Sequence, residues 1–314
     1  MSATPHSTPR EQTLEPTLTQ PHVPLAPVAT ASAREQLLRD GYTVLPGVLG
    51  SEEVRHFRAL TARVLQAQQG NAEYREKHRA IGSLVDILRE PGFVDLICHP
   101  GMRAGLASLG FPEPRYQHGI VFNKLPHTPR TFWHQDGTAW DHPSAYEAEP
   151  LDLILIYYLV DTTPANGCLR VIPGSHRRRH VLHSQLKGTY TPDLRAMKDP
   201  TSPAFQLYPD EQPVSVRAGS LVVTDARLLH AAHANDSDAD RTALSLWYLP
   251  SYEALPEVLR ARFTLRAGVD DRLPYLPQGW PAEATERLRR MLPPPYAGTE
   301  TPLPMNNLPD QRLR

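Results

Sequence analysis

The stretch Leu153-Ile-Leu-Ile-Tyr-Tyr-Leu-Val160 is the longest apolar run in the chain and predicts a buried β-strand. Its eight residues fall far short of the roughly 20 that a membrane-spanning helix needs. Other short runs, rich in β-branched and aromatic residues and separated by Pro, Gly and Asn, are Ile120–Phe122, Leu169–Ile172, Ser220–Thr224 and Ala243–Tyr248. Because no helices alternate with these strands, the pattern predicts a mainly β (α+β) fold, a sandwich or double-sheet jelly roll and not a βαβ fold.

The sequence before this β region predicts helices. A short helix from Ala33 ends at Gly41, and the strand-like Tyr42–Leu45 follows it. Ser51 caps a second helix, in which apolar residues recur at a mostly helical spacing. We therefore expect a helical N-terminal part up to about residue 112, which braces a β core over about residues 115–250.

The remaining segments differ in composition. Residues 1–30 are rich in Pro, Thr, Ala and Ser and predict a disordered tail, because they cannot offset the entropy of ordering. One folded domain is expected over residues 31–295, including a Pro-rich extension with a helix at Pro281–Met291, and residues 296–314 predict coil. Within the core, Arg177 to Pro213 is too long for an ordinary connection and predicts an insertion near the mouth of the site.

Charge and cysteine content narrow the classes of partner. The chain carries 33 Lys plus Arg against 34 Asp plus Glu, so its formal charge is -1. No global field draws it to nucleic acid or to anionic lipid, and we expect neither as a partner. Two isolated cysteines suit a reducing compartment, and no signal or transit segment is apparent, which predicts a cytoplasmic protein. The oligomeric state stays open.

Phe132-Trp-His134-Gln-Asp136 follows a strand-like stretch and carries two candidate metal ligands. In an extended chain, residues two apart point to the same face, so His134 and Asp136 can converge while Gln135 faces away. With 14 histidines in the chain, this triplet alone is weak. A second His with open coordination positions would complete the facial triad that suits Fe(II) oxygenases.

The second half of the β core offers that histidine. Leu228-Leu-His230 follows a predicted strand, and Arg241 opens the next strand 11 residues later. On neighbouring strands, His230 would reach the metal and Arg241 would lie deeper in the same barrel, where a guanidinium needs an anion. His233 is the main alternative ligand, but a separation of three residues puts it on the opposite face of an extended strand from His230.

At this point the sequence resembles the phytanoyl-CoA dioxygenase family of Fe(II)/2-oxoglutarate enzymes over most of residues 34–250. Four stretches match in the family's order: Leu38–Pro46 before the helix at Ser51, Asn123-Lys124 before Trp133–Asp136, Asn166–His176, and His230 with Arg241. The resemblance implies a double-stranded β-helix of the jelly-roll type. It also implies an Fe(II)- and 2-oxoglutarate-dependent dioxygenase that hydroxylates a small organic substrate, with 2-oxoglutarate and O2 converted to succinate and CO2.

The same resemblance assigns residues to roles. It implies that His134, Asp136 and His230 hold the iron and that Arg241 binds the distal carboxylate of 2-oxoglutarate. It further implies polar contacts to the cosubstrate from Gln117 and Asn123, and an aromatic wall of the cosubstrate pocket at Trp140. The family often has Ser or Thr two residues after the distal His, whereas this chain has Ala232, so one hydrogen bond is missing or another donor replaces it.

The sequence leaves several alternatives open for the activity and the substrate. A metal-binding jelly roll with isomerase or hydrolase chemistry would keep the triad but would not need Arg241, and a binding protein of this fold would not turn over at all. The substrate is not readable, because members of the family act on acyl-CoA thioesters, amino-acid derivatives and secondary metabolites. The basic cluster Arg177–His180 could attract an anionic substrate, but such a run is usually a solvated face.

Overall fold

The computed structural model describes residues 31–66, 72–186, 188, 190–264, 276–310 and 312–313. The predicted tail over residues 1–30 lies outside the described residues. Helices lie at Ala31–Asp40 (α1), Ser51–Gln66 (α2), Ala72–Lys77 (α3), Val94–Ile97 (α4), Pro100–Ser108 (α5), Val181–Gln185 (α6), Pro192–Ala196 (α7), Glu257–Thr264 (α8) and Ala282–Met291 (α9). Strands lie at Tyr42–Leu45 (β1), Ser83–Asp86 (β2), Arg115–Lys124 (β3), Leu153–Tyr158 (β4), Leu169–Val171 (β5), Gln212–Val214 (β6), Leu221–Asp225 (β7), His230–Ala232 (β8) and Arg241–Leu249 (β9).

The larger sheet has six strands in the order β1-β7-β4-β9-β3-β2, and its paired neighbours are antiparallel. The apolar stretch Leu153–Val160 contains β4, whose six residues are all buried because this strand lies between β7 and β9. Alternate residues of each strand face opposite sides. Leu153, Leu155 and Tyr157 belong to one buried cluster, and Ile154, Ile156 and Tyr158 belong to another.

The N-terminal helices cover the first of these faces. Val54, Phe57 and Leu60 of α2 share a core cluster with Leu153 and Leu155 of β4. Burying a large apolar side chain stabilises the fold by about 1.5 to 3 kcal/mol, so this layer fixes one side of the sheet. Helices α5 and α9 contribute Met102, Leu106 and Leu288 to the same cluster.

The second face of the large sheet meets a smaller sheet of three strands, in the order β6-β5-β8. Leu169, Val171 and Val214 of this sheet pack in one cluster with the inward residues of β4. An isolated antiparallel bridge between His134 and His230 continues the small sheet beyond β8. Two facing antiparallel sheets with helices on the outside form the predicted double-sheet jelly roll, and a cavity lies between the sheets.

The insertion over residues 177–213 contains α6, α7 and β6 and packs against the open end of the jelly roll. The backbone N–H of Trp133 donates to Ala204 O at 2.7 Å, and its indole Nε1 donates to Gln206 O at 3.0 Å. On the other side of the insertion, Ala80 N donates to Arg195 O at 2.9 Å. Along the described ranges, no helix combines the length and apolar composition needed to cross a membrane.

Candidate active site

Three ligand-type side chains meet inside the cavity: His134, Asp136 and His230. Their ligand atoms all lie within 4.8 Å of one another. The Nε2 atom of His134 is 3.9 Å from Asp136 Oδ1, and the Nε2 atom of His230 is 3.8 Å from Asp136 Oδ2. Among the described residues this is the one group of three or more His, Cys, Asp or Glu side chains close enough to share a metal ion.

Backbone pairing brings the two imidazoles together. His134 and His230 donate to each other's carbonyl oxygens at 3.0 and 2.9 Å. This pairing places their ring centroids 4.2 Å apart. Asp136 is held by a separate bond from its backbone N–H to Ala226 O at 2.8 Å. The three ligands therefore come from segments whose positions are fixed by main-chain hydrogen bonds.

Each imidazole is also fixed in rotation by its own backbone. Nδ1 of His134 lies 2.9 Å from Phe132 O, and Nδ1 of His230 lies 2.9 Å from Leu228 O. Because a carbonyl only accepts, Nδ1 must be the protonated nitrogen in both rings, and Nε2 carries the lone pair. Such a second bond is the usual way in which a metal-binding histidine is oriented.

The charges of this group also suit a cation. Asp136 Oδ2 is buried and has no hydrogen-bond partner among the described residues. Burial raises the pKa of the Asp136 carboxyl, although His230 and His118 oppose the shift. Burial, followed by the neighbouring His230, holds the pKa of His134 well below its usual range. Two imidazoles and one carboxylate form the donor set expected for a non-haem Fe(II) site, so these residues fit the ion.

Arg241 supplies a second electrostatic feature of the same cavity. Its side chain is 2% exposed and lies over the rings of Phe122 and Tyr158, with centroid distances of 5.0 and 5.9 Å. The Nε atom is buried without a hydrogen-bond partner, and no carboxylate of the described residues forms an ion pair with this guanidinium. A buried charge is costly unless it is paired. The arrangement therefore calls for an anionic ligand.

A buried lysine lies near Arg241. Lys124 is fully buried, and its Nζ donates to Pro129 O at 2.7 Å and to Thr131 Oγ1 at 3.4 Å. Burial, and then the positive charge of Arg241, lower the pKa of Lys124 well below its usual range. Thr131 itself lines the cavity, and its backbone N–H donates to Ala232 O at 2.9 Å. This end of the cavity therefore places a buried amine near the guanidinium, and its threonine hydroxyl donates to Ala80 O at 3.0 Å.

The remaining walls are largely apolar. They include Ile81, Leu84, Ile120, Phe122, Ile154, Ile156, Tyr158, Leu169 and Ala231, with Ser245, Trp247 and Tyr190 as further polar or aromatic members. The exposed His118 ring stacks on Trp247 with centroids 4.3 Å apart, which marks the cavity mouth. Apolar walls exclude water, so interactions between charges inside are stronger than at the surface.

The prediction that His230 and Arg241 lie on neighbouring strands of one sheet is wrong. Strand β8 belongs to the small sheet, whereas β9 is central in the large sheet. The two side chains nevertheless line one cavity, because the sheets face each other and both residues point inward. The chain crosses from one sheet to the other within the loop between them, which the spacing alone does not reveal.

Three residues with implied cosubstrate contacts lie outside the lining of this cavity. The amide of Gln117 donates to Asp152 Oδ1 at 2.8 Å. Asn123 donates to Asp240 Oδ2 at 3.0 Å and accepts from Thr242 Oγ1 at 2.8 Å. Trp140 is buried against Ala145 and Leu313. The hydrogen bonds of the first two are thus taken by other protein groups.

The structure also gives the positions of the alternative metal ligand and of the basic cluster. His233, the alternative ligand, is not in the metal-type group. Its backbone N–H donates to Cys168 O at 2.9 Å, and burial followed by Arg170 lowers its pKa. In the basic cluster, Arg177, Arg178 and Arg179 are exposed. Tyr190, by contrast, has a hydroxyl 2.8 Å from His134 Nε2, and no pattern in the sequence pointed to it.

The fold and site define a class of protein: a jelly roll that places two imidazoles, one carboxylate and a separate unpaired guanidinium in one buried cavity. Residues 37–243, about two thirds of the chain, match the family model of phytanoyl-CoA dioxygenase (PhyH). The chain belongs to this family.

Individual proteins extend the comparison. The chain is 27% identical to ectoine dioxygenase of Stutzerimonas stutzeri (strain A1501) over 256 residues, which cover 76% of this chain and 82% of that protein. It is 24% identical over 271 residues to L-proline trans-4-hydroxylase of Streptomyces griseoviridis, covering 76% and 94%. The crystal structure of SnoK, a non-heme alpha ketoglutarate dependent carbocyclase from nogalamycin biosynthesis, is similar with a TM-score of 0.56 and 26% identity, covering 77% of this chain and 88% of SnoK.

These findings confirm several predictions. The family and the jelly-roll fold class are as predicted. The predicted enzyme class, an iron- and 2-oxoglutarate-dependent oxygenase, agrees with the family match, with the relatives and with the His-Asp-His group. The relatives differ in reaction outcome, because one is called a hydroxylase and another a carbocyclase.

Proposed function

We propose that this chain hydroxylates a small organic substrate, using Fe(II), 2-oxoglutarate and O2 and releasing succinate and CO2. His134, Asp136 and His230 hold the iron, and Arg241 binds the distal carboxylate of 2-oxoglutarate. The observation that carries the proposal is the unpaired guanidinium of Arg241, buried in the same cavity as the metal-type group. A site for a metal alone would not need this second charge.

The iron supplies the activation of O2 when it is bound, and the protein supplies ligand orientation and a dry cavity. Nδ1–H of His134 donates to Phe132 O, and Nδ1–H of His230 donates to Leu228 O. The lone pair of each Nε2 is therefore available to a metal ion. Asp136 contributes the anionic ligand. Because this carboxylate is present, no coordination position is freed for a halide, which favours hydroxylation over halogenation.

Arg241 orients the cosubstrate from the opposite sheet. A guanidinium presents donors in a fixed plane and can bind a carboxylate through two parallel hydrogen bonds. Thr131 and Ser245 line the same cavity, and the Thr131 hydroxyl donates to Ala80 O at 3.0 Å. The neighbouring Ala232 has no hydroxyl. We therefore expect the charged pair with Arg241 to dominate the affinity for the far carboxylate.

The substrate enters at the mouth marked by His118 and Trp247. Their stacked rings join the lining of the cavity to the surface, because Trp247 lines the cavity and His118 is exposed. Ectoine dioxygenase and L-proline trans-4-hydroxylase are both small-molecule enzymes by name. A small organic substrate is therefore proposed for this chain as well.

The test combines spectroscopy with product analysis. Anaerobic addition of Fe(II) and then 2-oxoglutarate should produce a metal-to-ligand charge-transfer band. With O2 and a metabolite panel, succinate should form in a substrate-dependent manner, and the product should gain one oxygen atom from labelled O2. In Asp136→Gly, hydroxylation should fall strongly, even if some iron is retained.

The alternatives give different results. An isomerase or hydrolase of this fold would convert its substrate without forming succinate, and a binding protein would form no product. A carbocyclase outcome would give succinate without added oxygen in the product. A protein that forms neither the charge-transfer band nor succinate would contradict the proposed function.

A further inference from the structure

Tyr190 occupies an unusual position for a residue of the insertion. Its hydroxyl lies 2.8 Å from Nε2 of His134, and the two rings meet edge to face with centroids 4.9 Å apart. Since Nδ1 of His134 donates to Phe132 O, Nε2 can accept the hydroxyl proton, and the same hydroxyl also interacts with the Asp136 carboxylate. The hydroxyl therefore lies at the side of Nε2 that a metal ion would need.

Phe132 of the metal motif and Arg195 of the insertion both contact the ring of Tyr190. Its ring packs edge to face on Phe132 at 5.5 Å, and the guanidinium of Arg195 lies 5.7 Å from the ring centroid. The backbone of Tyr190 has a φ of 56°, in the left-handed region that a bulky side chain rarely adopts. Such a conformation persists when the surroundings enforce it, and it is concentrated at ligand clamps and switch regions.

We propose that Tyr190 gates the metal site: its hydroxyl and a divalent metal ion compete for Nε2 of His134, so metal binding must displace the tyrosine. This inference rests on the proposed role of His134 as a metal ligand. Because Tyr190 and Arg241 line the same cavity, displacement of Tyr190 also frees space for the cosubstrate. The insertion is thereby coupled to metal loading through a single hydrogen bond.

The test measures the affinity for Ni²⁺, which takes imidazole and carboxylate ligands without needing O2, by calorimetry under anaerobic conditions. Tyr190→Phe keeps the ring and removes the competing hydroxyl, so Ni²⁺ should bind about 2- to 12-fold more tightly, the equivalent of one net hydrogen bond. Tyr208→Phe is the matched control. Its hydroxyl is in the same insertion but donates to Pro203 O at 3.1 Å, so its affinity should equal that of the parent.

The outcomes separate this inference from the proposed function. Binding of one Ni²⁺ by the parent, and its loss in His134→Ala, would support the metal site. If Tyr190→Phe then binds Ni²⁺ no more tightly than the parent, the gate is refuted while the metal site stands. If the parent binds no Ni²⁺, both are refuted.

Hydrogen exchange provides a second, independent readout. Ni²⁺ should increase amide exchange over residues 190–197 in the parent, whereas Tyr190→Phe should already exchange at the raised rate without metal. Slower exchange over these residues in the Ni²⁺-loaded parent would show that the insertion closes on the metal, and would overturn the proposal.

Discussion

Replacing Arg241 with Met would remove the guanidinium but keep most of the apolar stem between Phe122 and Tyr158. If the proposed role is right, the distal carboxylate of 2-oxoglutarate loses its charged partner. A hydrogen bond to a charged group contributes about 1.5 to 3 kcal/mol. One lost bond weakens binding at least about tenfold, and two at the lower limit weaken it about 100-fold, since each 1.4 kcal/mol is a factor of ten.

The assay is titration of the anaerobic Fe(II) charge-transfer band with 2-oxoglutarate in the parent, Arg241→Met and Arg241→Lys. The Lys variant should be intermediate, because an ammonium keeps the charge but not the planar pair of donors. Fe(II) affinity without cosubstrate should hardly change. An unchanged midpoint in a folded, iron-loaded Arg241→Met protein would refute the reasoning.

Arg241→Met should also change the thermal stability of the protein less than the matched substitution at Arg170, because Arg241 has no carboxylate partner among the described residues. Arg170 is equally buried but pairs with Glu211 at 3.1 Å and lies 4.4 Å from the centroid of Trp133. Breaking a buried pair by removing one partner costs about 3 to 5 kcal/mol. Arg170→Met should therefore lower the melting temperature clearly, whereas Arg241→Met should lower it little or not at all in the absence of 2-oxoglutarate.

Two further substitutions test the site and the fold. His230→Ala should lose Fe(II), whereas His233→Ala should keep the iron content of the parent, because His233 is not in the metal-type group; the reverse result in metal analysis would show that the third ligand is misassigned. Gly82→Ala should destabilise the fold by about 1 to 3 kcal/mol, since at φ +85° the added Cβ would lie 2.3 Å from Asn123 O. Gly47→Ala, at φ +64° with no atom within 4 Å, should cost less in urea unfolding, and equal effects would contradict the role of the clash.

Much of the fold was predictable because its longer elements have clear periodic signals. The sequence predicted the helix at Ser51, the helix before Met291 and the long strands of the large sheet, and the structure contains them. It did not predict β2 or β6, which have only four and three residues. Both strands are fixed by their partners in the sheet, and β6 contains a proline, which weakens the local signal for a strand.

The alternation of side chains in an extended chain explains which site residues could be placed from the sequence. His134 and Asp136 are two apart and converge, as expected for an extended chain. The same rule could have separated Asn123 from the cavity, since its neighbour Phe122 faces inward. Gln117 lies where the register of β3 against β9 shifts between Tyr116 and His118. A bulge of this kind changes which face of the strand a residue occupies, and no pattern in the local sequence predicts it.

The remaining site residues depend on long-range packing. Tyr190 reaches His134 from 56 positions away, because the insertion is anchored elsewhere on the barrel, at Trp133 and Ala80. Thr131 lies beside Ala232 through a single main-chain hydrogen bond between segments about 100 residues apart. A motif fixes the position of a residue along the chain, whereas a ligand meets atoms that converge from several segments. Thr131 therefore brings a hydroxyl to the side of the cavity that Ala232 lines, but its proton is donated to Ala80 O at 3.0 Å, so toward a ligand this hydroxyl can only accept.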